Sequence, residues 1–317
     1  MLCRTLAILA ATLLLTHCGG GGSGADLSQA PAPHAVHAGT ALHIDYVVVP
    51  HPDDEIEGWS LIERDANVYP VFVLLTHGEE TSFCNPSSYR LGYQPQLSEL
   101  PAVPVPQGVG TQSCSDARLH SYAGFLDDLA DATSRLGHLD TSDQTGTGTA
   151  SPNGCKLRST SYLYRVGPSS ARITFDLGDG RLQPCGVVWA VASVRALVGS
   201  VLPNLAEQDV IGAGYYYAGS DRRCISYRNS THEAIYTAVR TMKLGLSGSQ
   251  YQRSCEYDGA TVSSSIDPAT FDAVMKAGSG LLERNYGWLT VDTIRETYCC
   301  YDFQYENPQW FYVARSS

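Results

Sequence analysis

The protein has 317 residues, of which 43% are hydrophobic and 17% are charged, so it can form one large domain with a sizeable core or two small domains. Its formal net charge is -11, and its Lys and Arg residues form no basic patch. This argues against a nucleic-acid partner, because phosphate binding needs clustered basic side chains. The low charge content and the abundance of Gly, Ser and Thr are typical of a protein outside the cytoplasm.

The first 18 residues resemble the signal sequence of a bacterial lipoprotein. Arg4 provides a positive start, and Leu6–Leu15 is an apolar run too short to span a bilayer comfortably. Cys18 would carry the lipid; a plain signal peptide cleaved further on is the alternative, because His17 stands where lipoprotein signals usually have a small residue. Residues 19–40 are rich in Gly, Ala and Pro and predict a flexible tether. Both alternatives predict export to a bacterial periplasm, outer membrane or cell surface, with no later membrane span.

A strand, a turn, a helix and a second strand follow one another after the tether. Ile44–Val49 is a short run rich in β-branched residues and predicts a buried parallel strand. Apolar residues then recur at helical spacing from near residue 55, and Tyr69–Thr76 predicts the next buried strand. This is the pattern of a βαβ unit.

The rest of the chain also alternates between strands and helices. Residues 81–113 and 139–157 are predicted as polar loop insertions, and an apolar stripe predicts a helix over residues 116–136. The remaining predicted elements are strands at 173–175, 210–217 and 309–314 and helices at 187–201, from 232 onward and at 268–285. Because strands and helices alternate, we predict one α/β domain over 41–317 with an open, mostly parallel sheet.

Eight cysteines follow Cys18, and an even number in an exported chain predicts disulfides. They are Cys84, Cys114, Cys155, Cys185, Cys224, Cys255, Cys299 and Cys300. Their order favours Cys84–Cys114 and Cys155–Cys185 as local bridges, although the sequence alone does not fix the connectivity. The adjacent Cys299 and Cys300 could pair with two different partners.

Potential metal ligands follow the first predicted strand directly. His51, Asp53 and Asp54 lie in one tight turn, and ligands of open α/β sheets bind beyond the carboxyl ends of the strands. A catalytic zinc site needs three protein ligands and an open position, so a third ligand must come from elsewhere. His232 is the best candidate, because it lies in the first turn of a predicted helix with Ser230 as the expected N-cap. An ordinary Asp-capped helix and a surface histidine are the alternatives.

The segment Pro50–Glu55, with the sequence PHPDDE, resembles the signature of the PIG-L/LmbE-like family of zinc-dependent de-N-acetylases. Thr76–Glu79 (THGE) and the histidine at the start of a late helix occur in the order of that family, and the resemblance covers most of residues 44–245. It implies a Rossmann-like α/β fold with helices flanking the sheet. The sequence departs from the family at Thr231, where Asp is frequent, and at Asn229, where some members have a further His.

The resemblance also implies a role for each matching residue. His51, Asp54 and His232 would hold Zn²⁺, or another divalent metal such as Fe²⁺, and Asp53 would be the general base. Tyr227 resembles a tyrosine that stabilises the oxyanion.

The function implied by the resemblance is removal of an N-acetyl group from an amino sugar or glycan. A zinc amidase that acts on another acylated metabolite and a catalytically silent glycan-binding envelope protein are the alternatives. Arg118, His120 and His77 are weaker candidates for substrate contacts. We favour a solvated helix face for Arg118 and His120, and a turn histidine is an equal alternative for His77.

Overall fold

The computed structural model contains a nine-stranded mixed sheet with helices packed on both faces. It describes residues 43–81, 84–85, 106–133, 135–139, 142–150, 154–216, 229–254, 260–270 and 308–314. The predicted signal sequence and tether, most of the loop predicted over 81–113 and most of the helix predicted over 268–285 lie outside these ranges.

Five parallel strands form the middle of the sheet, and antiparallel strands extend both of its edges. In chain order the strands are β1 (His43–Val49), β2 (Val68–Leu74), β3 (Gln144–Thr147), β4 (Ser161–Val166), β5 (Ala171–Phe175), β6 (Ala206–Gly212), β7 (Gln250–Ser254), β8 (Val262–Ser264) and β9 (Gln309–Ala314). They are arranged as β3-β4-β5-β2-β1-β6-β7-β9-β8. The parallel strands β5, β2, β1, β6 and β7 therefore follow the order 3-2-1-4-5 of a doubly wound sheet.

Helices cover the two faces of the sheet because the central strands are apolar on both sides. They are a 3-10 helix (Glu55–Gly58), α1 (Trp59–Glu63), α2 (Gln112–Thr133), α3 (Pro184–Val201) and α4 (Ser230–Thr241). Alternate residues of β1 and β2 pack against α3 and α4 on one face and against α1 and α2 on the other. This double burial explains why β2 and the Tyr46–Val49 part of β1 are continuous apolar runs instead of alternating patterns.

The mostly parallel α/β architecture predicted from the sequence is confirmed, and the differences lie in the polar segments. The loop predicted over 139–157 contains the edge strand β3, whose residues are almost all exposed. Strands β4, β7 and β8 were not predicted either. The strand predicted over 210–217 begins at Ala206 and ends at Gly212. Its start was missed because the first half of the strand is polar and carries no apolar signal.

Helix α3 has the length and composition of a membrane span, with a mean hydropathy of 1.5. The prediction that no segment after the signal sequence has these properties is therefore wrong. In the structure Val187, Val191, Val194 and Val198 of this helix are buried in the core cluster on one face of the sheet. Core helices of globular domains have the same length and apolar composition.

Two disulfides, Cys84–Cys114 and Cys155–Cys185, join the cysteines that were expected to form local bridges. The other four cysteines predicted to pair lie outside the described residues. Disulfides persist in oxidising compartments, so these two bridges are typical of a protein that folds outside the cytoplasm.

A buried carboxyl group on β1 predicts an unusual dependence of stability on pH. Burial, and next the nearby charge of Asp209, raise the pKa of Asp45 to about 6. His43 and Asp65 also face this carboxyl group. A carboxyl group whose pKa is higher in the folded state opposes folding when it is ionised, and this cost disappears as the pH falls below the unfolded pKa of about 4.

We therefore expect Asp45→Asn to raise the free energy of unfolding by about 1 to 3 kcal/mol at pH 8. An asparagine keeps the oxygen that accepts from the Asp209 backbone N–H at 3.1 Å. The gain should shrink between pH 6 and pH 4 and vanish below pH 4, as measured by urea unfolding. Asp127→Asn, at an exposed site, is the control and should show no such trend. A gain that does not depend on pH would contradict the explanation.

Candidate metal centre

The carboxyl ends of β1 and β6 form the edge of the sheet where the candidate ligands meet. These two strands are neighbours, yet the chain continues from β1 to β2 on one side and from β6 to β7 on the other. Such a switch in strand order leaves a crevice between the two outgoing loops. His51 lies in the loop after β1, and the chain after β6 leads to α4, which begins next to the same crevice.

His51, Asp54 and His232 converge in this crevice and are defined here as the candidate metal centre. The Nε2 atoms of His51 and His232 lie 3.0 Å apart. Asp54 Oδ2 lies 3.3 Å from His232 Nε2 and 2.7 Å from His51 Nδ1. Ligand atoms on one tetrahedral zinc ion are roughly 3.3 Å apart, given bonds of about 2.0–2.1 Å. The three side chains are thus close enough to share one cation.

The tautomers of the two imidazoles leave their facing nitrogens free to bind a cation. His232 Nδ1 lies 2.7 Å from the backbone oxygen of Tyr215, which can only accept, so this nitrogen carries the proton. His51 Nδ1 faces the carboxylates of Asp53 and Asp54 and likewise donates. In the neutral rings, two Nε2 lone pairs therefore point at each other across 3.0 Å. They repel unless a positive charge, either a proton or a metal ion, lies between them.

The burial of the candidate metal centre strengthens the case for a bound cation. His51, Asp54 and His232 are 8%, 6% and 1% exposed. Asp54 Oδ2 is buried, and the ring nitrogens of His51 and His232 lie 2.7 and 3.3 Å from it, so a carboxylate that is costly to bury is placed against the two imidazoles. Burial disfavours its ionised form, but the imidazoles of His232 and His51 hold the pKa of Asp54 well below its usual range. A divalent cation would satisfy this oxygen and both imidazoles together.

The raised pKa of His51 also indicates that the candidate metal centre favours extra positive charge. Burial lowers the pKa of His51, but the carboxylates of Asp54 and Asp53 outweigh it and raise that pKa to about 10. A metal ion bound at Nε2 would supply that charge in place of a proton.

The loop after β6 is held so that its carbonyl group orients His232. The Gly214 backbone N–H donates to Glu57 Oε2 at 2.9 Å, and the Gly214 carbonyl accepts from Gln252 Nε2 at 3.0 Å. Glu57 and Gln252 are both buried, so this loop is fixed on two sides. The adjacent Tyr215 carbonyl then fixes the orientation of the His232 ring by accepting from its Nδ1–H. Histidines that bind a metal commonly donate their other ring N–H to a carbonyl group in this way.

The start of α4 differs from the prediction in its capping residue. Asn229, and not Ser230, is the N-cap, and its side-chain oxygen accepts from the backbone N–H groups of Thr231 and His232 at 2.9 and 3.3 Å. Ser230 instead donates to the carbonyl of Gly180. Asn caps helices as well as Ser does, so capping preference alone does not distinguish these two neighbouring residues. The predicted position of His232 in the first turn is confirmed.

Asp53 occupies a strained backbone conformation beside the candidate metal centre. Its φ of 104° is the only positive value at a non-glycine residue in the described part of the chain. The Asp53 backbone N–H donates to Glu55 Oε2 at 2.8 Å, and burial followed by the charge of Asp53 raises the pKa of Glu55 to about 8. The side chain of Asp53 is 29% exposed, compared with 9% for Asp54. Strain of this kind concentrates at functional sites.

Arg118 holds the strained turn from the other side. This residue is 1% exposed, so the expectation that it lies on a solvated helix face is wrong. Its guanidinium donates to the carbonyl of Pro52 and, at 3.1 Å, to Asp53 Oδ1. Gly78 makes room for it, because a Cβ there would lie 2.5 Å from Arg118 Nε and 2.9 Å from His51 Cβ. The glycine of the Thr76–Glu79 segment is thus explained by close packing against the turn.

We expect Arg118→Met to lower the free energy of unfolding by about 2 to 4 kcal/mol, because it leaves the buried Pro52 carbonyl without its donor and Asp53 without its counter-charge. Arg165→Met is the matched control: its pair with Asp143 is partly exposed, so the expected loss is about 1 kcal/mol or less. Urea unfolding of both variants measures the difference, and equal losses would contradict the bracing role of Arg118.

The remaining predicted site residues are His120, His77 and Tyr227. His120 is exposed on α2, as expected for a solvated helix face. His77 Nδ1 lies 2.6 Å from Ser115 Oγ, and burial lowers the pKa of His77. Tyr227 lies outside the described residues.

One carboxylate near α4 carried no signal in the sequence. Asp179 Oδ1 accepts from the hydroxyl of Thr231 at 3.1 Å and from the backbone N–H of Gly180 at 2.8 Å. It thus places a negative charge next to Thr231, the position where the resembling family frequently has Asp. Nothing in the segment before α3 marks this residue, because it follows a strand in an ordinary Gly-Asp-Gly turn.

The sequence matches no known protein-family model, and the curated proteins contain no similar sequence.

Proposed function

We propose that the protein is a divalent-metal-dependent hydrolase of the PIG-L/LmbE-like kind that removes the N-acetyl group from an amino sugar or glycan. The observation that carries this proposal is the convergence of His51, Asp54 and His232, which come from two distant segments. The family resemblance of the turn after β1 and the position at the switch in strand order support it.

The candidate metal centre would hold Zn²⁺, because two imidazoles and one carboxylate form a frequent set of catalytic zinc ligands and leave a position open. When bound, such a cation lowers the pKa of water and polarises an amide carbonyl group. Fe²⁺ suits the same ligands.

Asp53 is suited to act as the general base, because its carboxylate lies next to the candidate metal centre and is partly exposed to solvent. It lies 3.2 Å from His51 Nδ1 and is the more exposed of the two neighbouring aspartates. Arg118 fixes its orientation through Asp53 Oδ1, so the carboxylate is positioned before the substrate binds. Asp53 accepts a proton from the water as the water oxygen forms a bond with the carbonyl carbon of the amide.

The reaction ends with a proton transfer to the leaving group. The bond between the carbonyl carbon and the nitrogen of the amide breaks, and the proton held by Asp53 passes to the leaving amine. The products are acetate and a free amino sugar. Stabilisation of the oxyanion by Tyr227 stays a prediction of the resemblance.

A screen of N-acetylated mono- and oligosaccharides for released acetate tests the proposed function. We expect release by the zinc-loaded protein, loss after chelation and recovery after zinc is added back. Release only from N-acylated compounds that are not sugars would indicate an amidase of other substrates. Glycan binding without bound metal and without acetate would identify a silent binding protein and contradict the proposal.

We further propose that the protein acts at a bacterial cell envelope, anchored by a lipid on Cys18. The two disulfides support an oxidising location. In a bacterial host, Cys18→Ala should abolish incorporation of labelled fatty acid and release the protein from the membrane fraction. Equal incorporation by the variant would contradict lipidation at this residue.

A further inference from the structure

The side chain of Asn229 reaches the candidate metal centre from the start of α4. Its amide nitrogen Nδ2 lies 3.4 Å from His51 Nε2, one of the two nitrogens that face each other in the candidate metal centre. Asn229 is partly exposed, whereas His51, Asp54 and His232 are buried. A ligand that arrives from solution can therefore contact Asn229 as well as the candidate metal centre.

The orientation of the Asn229 amide group is fixed by its role as the cap of α4. Its Oδ1 accepts from the backbone N–H groups of Thr231 and His232 at 2.9 and 3.3 Å. A backbone N–H can only donate, so the atom that faces these two groups is the oxygen. The nitrogen is then the atom that faces His51, and it is held there before any ligand binds.

An amide nitrogen at this position can act only as a hydrogen-bond donor. It carries two N–H bonds and offers no lone pair to a cation, so Asn229 is not a fourth protein ligand. In the described part of the chain its only acceptor is His51 Nε2, and 3.4 Å is long for such a hydrogen bond. A cation bound to that nitrogen would take this acceptor away. An oxygen atom in the open position of the candidate metal centre would replace it.

Two other donors near the candidate metal centre already have acceptors within the protein. The Nδ1–H of His232 donates to the Tyr215 carbonyl at 2.7 Å. The guanidinium of Arg118 donates to Asp53 Oδ1 at 3.1 Å. The amide nitrogen of Asn229 is therefore the better placed donor for a bound ligand.

The ring of His51 has a general base on one side and this donor on the other. Asp53 Oδ1 lies 3.2 Å from the Nδ1 atom of the ring, and Asn229 Nδ2 lies 3.4 Å from its Nε2 atom. Amide hydrolysis needs both kinds of group, because the attacking water loses a proton while the carbonyl oxygen gains negative charge. A carboxylate meets the first need, and a neutral N–H donor meets the second.

We propose that Asn229 is a catalytic hydrogen-bond donor that binds the oxygen of the acyl group. This oxygen is the carbonyl oxygen of the N-acetyl group during hydrolysis and a carboxylate oxygen of acetate afterwards. The inference rests on the proposed function, because it assigns the acyl oxygen to the open position of the candidate metal centre. Asn229 then has two tasks, since its oxygen caps α4 and its nitrogen contacts the substrate.

A set of variants separates these two tasks. Asn229→Ser keeps an oxygen that caps the helix, because Ser and Asn are equally good N-caps, and it removes the amide nitrogen. Asn229→Ala removes both groups. Ser230→Ala is the matched control, because it deletes a hydrogen bond to the Gly180 carbonyl at the same helix start. For each zinc-loaded protein we measure zinc content, acetate binding by calorimetry, kcat/KM for acetate release and unfolding in urea.

Both Asn229 variants are expected to keep one zinc ion per chain and to bind acetate about tenfold more weakly, as for a lost hydrogen bond to a charged group. Their kcat/KM should fall about 100-fold, because such a donor contributes most where negative charge develops. Only Asn229→Ala should also unfold at a lower urea concentration. Ser230→Ala should match the wild type in zinc content, acetate affinity and kcat/KM.

The outcomes separate this inference from the proposed function. Wild-type acetate affinity and kcat/KM in Asn229→Ser would overturn the inference, leave Asn229 as a helix cap and leave the hydrolase intact. Loss of zinc in Asn229→Ser would also overturn it, because the side chain would then support the metal ligands. A zinc-loaded wild type that does not bind acetate would overturn it as well. Acetate binding that depends on the Asn229 amide, without acetate release from any N-acetylated sugar, would support the donor and count against the hydrolase.

Discussion

His232→Ala is expected to abolish stoichiometric zinc binding and to lower kcat/KM for acetate release to background. His232 contributes one of three ligands. Removing a group that only hydrogen-bonds to a metal ligand typically lowers metal affinity about 10- to 100-fold. Removing the ligand itself should lower it further, so we expect a loss of at least about 100-fold in zinc affinity. Elemental analysis after gel filtration and competition with a chelator measure it. Zinc should also raise the Tm of the wild type and leave that of the variant unchanged.

His138→Ala provides the matched control for this experiment, because His138 lies on the surface beside Asp131. This variant should keep the zinc content and the zinc-dependent Tm of the wild type. Circular dichroism shows whether His232→Ala keeps the native secondary structure. A folded variant that still binds one zinc ion per chain with wild-type affinity would remove His232 from the candidate metal centre.

Asp53→Asn is expected to keep its zinc and to lose about 100- to 10,000-fold in kcat, the range typical of a missing general base. The amide cannot accept the proton of the attacking water. The fold should tolerate the change, because Asn adopts positive φ readily and keeps an oxygen for Arg118. Zinc content, kcat and KM for acetate release are measured together.

Asp54→Asn is the companion variant, because it changes the same chemical group one residue away. Asp54 Oδ2 faces both imidazoles, so this variant should lose zinc and activity together. If Asp53→Asn lost as much zinc as His51→Ala, the division between base and ligand would be wrong. Full activity with full zinc in Asp53→Asn would exclude its role as the base.

The central part of the fold was predictable because burial on both faces leaves a clear sequence signal. Strand β2 is an unbroken apolar run, β1 is apolar from Tyr46 to Val49, and α3 is apolar almost throughout. The edge strands gave no such signal. Strand β3 has the sequence QTGT and lies at the edge of the described sheet, where it pairs with β4 through backbone hydrogen bonds that every residue type except proline can make.

The candidate metal centre was predictable as far as its residues lie in local motifs. His51, Asp53 and Asp54 form one turn, and His232 begins a helix, so their chemistry could be inferred from neighbouring residues. The bracing by Arg118 was not predictable, because it depends on how α2 packs across the turn.

Contacts made by backbone groups could not be predicted from the sequence either. The carbonyl of Tyr215 orients His232, yet every residue has a carbonyl group, so nothing in the sequence distinguishes this one. Glu57 holds the neighbouring Gly214 N–H through a contact between residues far apart in the chain. Such contacts depend on tertiary packing, which local patterns do not encode.

The most direct test of the candidate metal centre is a crystal structure of the zinc-loaded protein with anomalous diffraction collected at the zinc edge. We predict one strong anomalous peak about 2.0 to 2.2 Å from the nearest nitrogens of His51 and His232 and from a carboxylate oxygen of Asp54. An absent peak, or zinc bound elsewhere while the imidazoles of His51 and His232 point apart, would contradict the account.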